Sequence, residues 1–230
     1  MNFLYLDIET IPAQSPEAQA AVAATVKHPA TMKKADTIAA WEANDKAQAV
    51  SDAIAKTSLD GTYGHIHTIG FALNEGEVDC QYLPDLYSSE LEAEALRAFF
   101  AKVDAFGVSN PYPLCIVGHN LVGFDIRFIW QRAIILGVRV PQWFPRDPKP
   151  WSNEVFDTMT AFAGQRNTIG LDRLCQALGL NGKGDVDGSM VASLWEARRS
   201  DDIARYCMED IERTRAVHRR MSVAFGDRAA

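Results

Sequence analysis

"FLYLDIET", residues 3–10, carries a run of large apolar residues straight into two carboxylates one residue apart, Asp7 and Glu9. The run reads as a β-strand over residues 2–8. Side chains alternate faces along a strand, so Asp7 and Glu9 point the same way. Like charges held side by side repel and raise each other's pKa. Such a pair calls for something positive, and at this point a surface salt bridge and a divalent cation serve equally well.

Beyond Pro12 and Pro16, which close the strand, residues 17–57 are rich in Ala, Lys and Gln with little β-branching, as in "EAQAAVAATVKH" and "DTIAAWEANDKAQAVSDAIAK". That is helical composition. "LDGTYG", 59–64, is a turn. "HIHTIGFAL", 65–73, and "EVDCQYL", 77–83, read as strands joined in a hairpin through Asn74-Glu75-Gly76. "SSELEAEALRAFFAKVDAF" is an amphipathic helix with a Ser cap and an acidic first turn. "PLCIVGHN", 113–120, is a buried strand handing over to the helix "GFDIRFIWQRAIILG", which Gly137 ends. After a Pro-rich loop, 141–150, come "EVFDTM" and several short helices. The last helix starts at Ser200-Asp201-Asp202 and is expected to end among Arg215, His218, Arg219 and Arg220, charges that suit the helix dipole at both ends. An antiparallel opening followed by a strand–helix unit implies an α/β fold with a mixed sheet flanked by helices.

A chain of 230 residues accommodates one domain, 1–230, carrying a helical insertion at about 13–60. No apolar run approaches membrane-spanning length, and no signal-peptide pattern is present, so no membrane partner is expected. Cys80, Cys115, Cys175 and Cys207 form no CxxC pair, which reads as reduced thiols in a cytoplasmic protein. The formal net charge of −7 argues against binding nucleic acid through a broad basic surface. It leaves room for an acidic site that attracts anions once loaded with metal.

Two further acidic positions stand out. Asp125, in "GHNLVGFDIRFIW", sits where a strand passes into a helix. Tyr206 and Asp210, in "ARYCMEDIERT", are four residues apart on one helix face. Taken singly, each has an ordinary structural reading: a solvated pair, a helix cap, an interface tyrosine with an exposed acid. Taken together, in this order and context, they resemble the DEDD superfamily of 3′–5′ exonucleases. "LDIET" is similar to its first motif, "GHNLVGFD" to its second, and "YCMED" to the Y-x-x-x-D third motif of the tyrosine subtype. "FDTM", "LDRLCQALGL" and "NGKGDVDGSMV" resemble the intervening segment in the subgroup related to the proofreading domain of family-B DNA polymerases. The resemblance spans the first strand and most of residues 65–220; the helical stretch after the first strand has no counterpart in it.

The resemblance implies a ribonuclease-H-like fold and a metal-dependent hydrolase of phosphodiester bonds that acts on single-stranded nucleic acid, DNA before RNA, and releases nucleoside monophosphates. It implies two divalent ions, Mg²⁺ or Mn²⁺, with Asp7 bridging them, Glu9, Asp125 and Asp210 completing the ligands, and Tyr206 orienting the attacking water. Hard ions suit carboxylate oxygens, and paired ions activate water and neutralise the leaving oxygen. A separately encoded replication or repair polymerase is an expected partner. Two other readings stand beside this one: a catalytically silent module that binds nucleic acid or a polymerase, and a hydrolase of nucleotides or short oligonucleotides.

Secondary candidates for substrate contact are Thr10 through its backbone, His119 and Asn120 before Asp125, and Lys183 in a Gly-flanked loop; turn formation is the plain alternative for His119 and Asn120. Gly182-Lys183 is not a Walker A loop, because Ala177 stands where that motif needs Gly. Asp157 reads equally as a supporting acid or a helix cap, and His65 and His67 as exposed or capped histidines. The insertion leaves beside Asp7 and Glu9 and carries Lys27, His28, Lys33, Lys34, Lys46 and Lys56 with Trp41, so it is expected to form a flap over a single strand, although packing of Trp41 is the simpler account of that residue.

Overall fold

The computed structural model describes residues 1–149, 152–182 and 188–226. Strand β1 (Asn2–Ile11) is the centre of a five-stranded mixed sheet. It pairs antiparallel with β2 (His65–Leu73), which pairs antiparallel with the short edge strand β3 (Asp79–Tyr82). On its other side β1 runs parallel to β4 (Leu114–Gly118), and β4 runs parallel to β5 (Val155–Asp157). The hairpin between β2 and β3 turns where expected, with Asn74 in the left-handed region at φ 52°.

Alternation along β1 sorts the sequence into two layers. Leu4, Leu6 and Ile8 face helices α4 (Ser89–Ser109) and α5 (Asp125–Leu136), joining Leu96, Phe99, Ile126 and Phe128 in the largest core cluster. Each fully buried Leu, Ile or Phe there contributes roughly 1.5–3 kcal/mol of transfer free energy. Tyr5, Asp7 and Glu9 face the other way, toward α9 (Ser200–Phe225), whose Ile211 packs with Tyr5, Ala72 and Val117. Shorter helices α6 (Thr158–Ala163), α7 (Leu171–Ala177) and α8 (Val191–Glu196) connect β5 to α9.

Between β1 and β2 stand α1 (Pro16–Thr25), α2 (Ala35–Asn44), α3 (Lys46–Ala55) and a 3-10 turn, Lys56–Leu59. Ser15 caps α1 from the side chain and Pro16 opens it. The three helices pack on one another, and the 3-10 turn reaches back to β1. Trp41 is buried within the insertion against His28, Ile38 is half-buried, and Ala40 is exposed.

Two expectations change. α9 continues to Phe225 and ends at Gly226 with φ 76°, so Arg215, His218, Arg219 and Arg220 lie inside the helix and not at its last turn. Its inner face is long enough to cover the whole sheet, which keeps the chain helical past them; Arg215 and His218 are buried, with Arg215 donating to the carbonyl of Gly76 (2.9 Å). His65 and His67 are not exposed but buried, since β2 has neighbours on both sides and on both faces. Among the described residues no helix is long and apolar enough to cross a membrane.

Candidate active site

Asp7 and Glu9 share a face of the central strand; the β-bulge at Glu9/Thr10 comes after them and leaves their alternation intact. Directly opposite Asp7 on β2 is Gly70. A Cβ at Gly70 would come within 2.7 Å of Cys207 Sγ, so the missing side chain lets α9 approach the sheet at this point. Cys207 uses the approach to donate its thiol toward Asp7 Oδ2 at 3.4 Å. Ligand atoms of Asp7, Glu9 and Cys207 all lie within 4.8 Å of one another.

Asp125 arrives from the other side. Pairing of β1 with β4 stops at Tyr5↔Val117, and β4 itself ends at Gly118, so β1 runs on with an open edge. The chain turns through residues 119–124, and the first residue of α5, Asp125, accepts the N–H of Ile8 on that edge at 3.0 Å. The second motif therefore supplies a carboxylate and also completes the hydrogen bonding of the strand that bears the first.

Asp210 and Tyr206 come from α9, one turn apart, and the Tyr206 hydroxyl is hydrogen-bonded to Asp210. Arg213, one turn further on, donates to Asp210 Oδ1 at 2.5 Å and to Glu209 Oε2 at 3.0 Å.

Electrostatically the group is under strain. Burial, then the neighbouring Asp210, pushes the Asp7 carboxyl well above the usual carboxylate range. Burial, then Asp7, does the same to Asp125. The Tyr206 hydroxyl is raised by burial, then by Asp210, Glu9 and Asp7, and so stays protonated. Cys207 is raised by burial, then by Asp7 and Glu9, and is a neutral thiol.

The substrate candidates divide. Thr10 lines a cleft of about 590 Å³ beside Glu9, while its hydroxyl donates to the carbonyl of Ser58 at 2.6 Å. His119 turns away: Nδ1 lies 2.9 Å from Thr158 Oγ1 and Nε2 2.8 Å from the carbonyl of Ile169, and burial lowers its pKa. Asn120, at φ 61°, lines a separate cleft with Asp157 and Met159. Lys183 lies outside the described residues. Asp157 is a cap: it accepts the N–H groups of Met159 and Thr160 at the start of α6, and those of Asn120 and Val122, so it shapes the turn that delivers Asp125.

Three further residues stand against these groups: Gly70, Cys207 and Arg213. A lone Gly inside the apolar run "HTIGFAL" is the signal for Gly70, because an interior strand glycine marks a close backbone approach. Arg213 was findable at i+3 from Asp210.

A comparison with protein families matches residues 58–228 to the family of predicted 3′–5′ exonucleases related to the exonuclease domain of PolB. The match begins at the last residues of the insertion, so Asp7 and Glu9 lie outside it. A search of curated proteins found no match. Among solved structures, the fold is similar to that of the family B DNA polymerase from the hyperthermophilic archaeon Pyrobaculum calidifontis, with a TM-score of 0.59 at 17% identity over 98% of this chain and 25% of that one. The chain thus spans about a quarter of that polymerase's length, and the shared architecture is ribonuclease-H-like.

Proposed function

The chain belongs to the family of predicted 3′–5′ exonucleases related to the exonuclease domain of PolB, and from that premise we propose that it removes nucleoside monophosphates one at a time from the 3′ end of single-stranded nucleic acid, DNA before RNA. The observation that carries this reading is the convergence of five residues from three separate stretches of chain on the central strand, with Asp7, Glu9, Tyr206 and Asp210 on the face toward α9 and Asp125 at its open edge.

The donor set fits divalent metal. Buried like charges that raise one another's pKa favour taking up cations. The four carboxylates are hard oxygen donors suited to Mg²⁺ or Mn²⁺. Cys207, the one sulfur in the group, is a neutral thiol that donates to Asp7 and is not a thiolate ligand. Asp7, Glu9, Asp125 and Asp210 would hold the ions. A pair of bound divalent ions supplies an activated water and neutralises charge on the scissile phosphate and the leaving 3′-oxygen.

The chain's own groups do the rest. The Tyr206 hydroxyl, held protonated, is a donor and cannot serve as the base; its role is to orient the attacking water beside Asp210. The Ile8 N–H fixes the rotamer of Asp125. Arg213 holds one oxygen of Asp210 and so directs the other.

The test is a labelled-oligonucleotide assay with Mg²⁺ or Mn²⁺ on single strands, duplexes and RNA, with products sized. A 5′-labelled single strand should shorten stepwise, releasing mononucleotides. Internal cuts, or hydrolysis confined to free nucleotides, would overturn the proposal.

A further inference from the structure

The two ends of the helical insertion are stitched together at the mouth of the carboxylate site. Ala13 N–H donates to Thr57 Oγ1 at 2.8 Å, and Thr10 Oγ1 donates to the carbonyl of Ser58 at 2.6 Å. This holds the end of α3 and the Lys56–Leu59 turn beside Glu9. Across from them stand Phe124, from the turn that delivers Asp125, and Val191 and Ala192 of α8; the space between is the cleft of about 590 Å³, with Ile8, Glu9 and Thr10 along its floor. Gly188, on the far wall, comes close to the catalytic group: a Cβ there would lie 3.9 Å from Tyr206 Oη.

The insertion's wall has a composition that core packing does not explain. Leu59 is 69% exposed although it is a large apolar side chain, and Lys56 beside it is exposed as well. Asp52, on the same wall, accepts a hydrogen bond from Gln48 (2.8 Å). A cleft of this volume is of the size that takes one small ligand. Apolar side walls accept the flat face of a base, and a lysine at the rim meets a phosphate.

We infer that this cleft seats the unpaired base or bases at the 3′ end of the substrate, and that the insertion, through Leu59 and Lys56, makes the enzyme require an unpaired end. The inference rests on the exonuclease reading above and adds a wall of which the family match, beginning at residue 58, takes in only Ser58 and Leu59. The strand lies with its terminal base between Leu59 and Phe124 and its backbone along Lys56.

Three variants at exposed positions test this. Leu59→Gly removes the wall, Ala55→Trp fills the cleft, and Lys56→Gln removes the cation. Leu86→Ser, at a 66% exposed leucine that does not line the cleft, is the control. KM and kcat are measured on a labelled thymidine homo-oligonucleotide and on the same strand in a blunt duplex, with binding followed by fluorescence anisotropy across a salt series. Leu59→Gly and Ala55→Trp should each raise the single-strand KM about three- to tenfold, with kcat changed less. Leu59→Gly should also narrow the preference for single strand over duplex. Lys56→Gln should reduce the slope of log Kd against log salt by about 0.7, the value for one phosphate contact on a single strand. Wild-type KM, strand preference and salt slope in all three would overturn the inference while leaving the exonuclease reading standing. A wild-type protein that cuts no nucleic acid with either metal would count against that reading itself.

Discussion

Two buried charge clusters hang on the same pair of strands, β1 and β2, and they are resolved in opposite ways. Around Asp7 and Asp125 the charges are alike, and burial and mutual repulsion push both carboxyls up. Around Glu92, which is fully buried, the charge is matched. Arg132 grips it with Nε (2.7 Å) and Nη2 (2.9 Å), the N–H of Ile66 donates to it at 2.9 Å, and His65 Nδ1 lies 3.3 Å away. Burial pushes Glu92 up, but His65 and Arg132 outweigh it and hold the carboxyl below its usual range. Arg132 also donates to the carbonyl of Gly61 at 3.0 Å, so the matched cluster anchors the returning end of the insertion. Matched buried charge fixes structure; unmatched buried charge, on the function proposed above, is affinity for a cation held in reserve.

The sharpest way to break this contrast is to remove one member of each cluster. Asp7→Ala should cut exonuclease turnover by at least about a thousandfold, the scale of several kcal/mol of transition-state charge stabilisation. The same change should leave the metal-free fold intact or slightly more stable, because it relieves repulsion. Near-normal cleavage by Asp7→Ala would end the assignment of metal ligands. Arg132→Met should do the reverse, costing about 3–5 kcal/mol of stability by leaving Glu92 buried and unmatched. Chemical denaturation reads this directly, and a loss under about 1 kcal/mol would mean that Glu92 finds another partner.

Tyr206→Phe keeps the ring and removes the hydroxyl that lies between Asp210 and the proposed water. About a hundredfold loss in kcat with KM nearly unchanged is expected. An equal kcat would return Tyr206 to a packing role.

The smallest effect separates the clusters by pH. Asp7 and Asp125 have folded pKa values above the unfolded value of about 3.9, so the stability they contribute is full below that value and is lost as pH rises through the raised folded values. Glu92 runs the other way: its contribution is present above about pH 4.3 and is lost as pH falls through its lowered folded value. In EDTA, thermal stability should therefore rise as pH drops from the alkaline side toward the unfolded carboxylate value, and fall in strong acid. Asp7→Asn should flatten the first limb and leave the second. Superimposable profiles for the two proteins would show that Asp7 is not under strain.

The same contrast separates what was legible in the sequence from what was not. The unmatched cluster stood out because its carboxylates follow apolar approaches, inside β1 and α9 and at the first residue of α5, where a carboxylate has no packing reason to be. Glu92 looked like an ordinary first-turn acid of α4, and His65 like an exposed strand residue. Neither carries a local sign of the partner it meets 26 or more residues away. His119 misled in the other direction: its place before Asp125 hinted at substrate, and the fold spends both ring nitrogens on Thr158 and Ile169.

By itself the sequence determined what depends on short-range geometry. Period-two alternation put Asp7 and Glu9 on one face of a strand, period 3.6 put Tyr206 and Asp210 on one face of a helix, and the cap residues marked where several helices begin. Only the tertiary structure decided that these faces meet. β4 stops at Gly118, which leaves the Ile8 N–H open for Asp125. Gly70 has no side chain, so α9 comes close enough for Cys207 to touch Asp7. The insertion folds back so that Thr57 and Ser58 close on the strand it left. Each of these is a contact between residues far apart in the chain, set by where strands end and how closely layers approach, and no local periodicity encodes that.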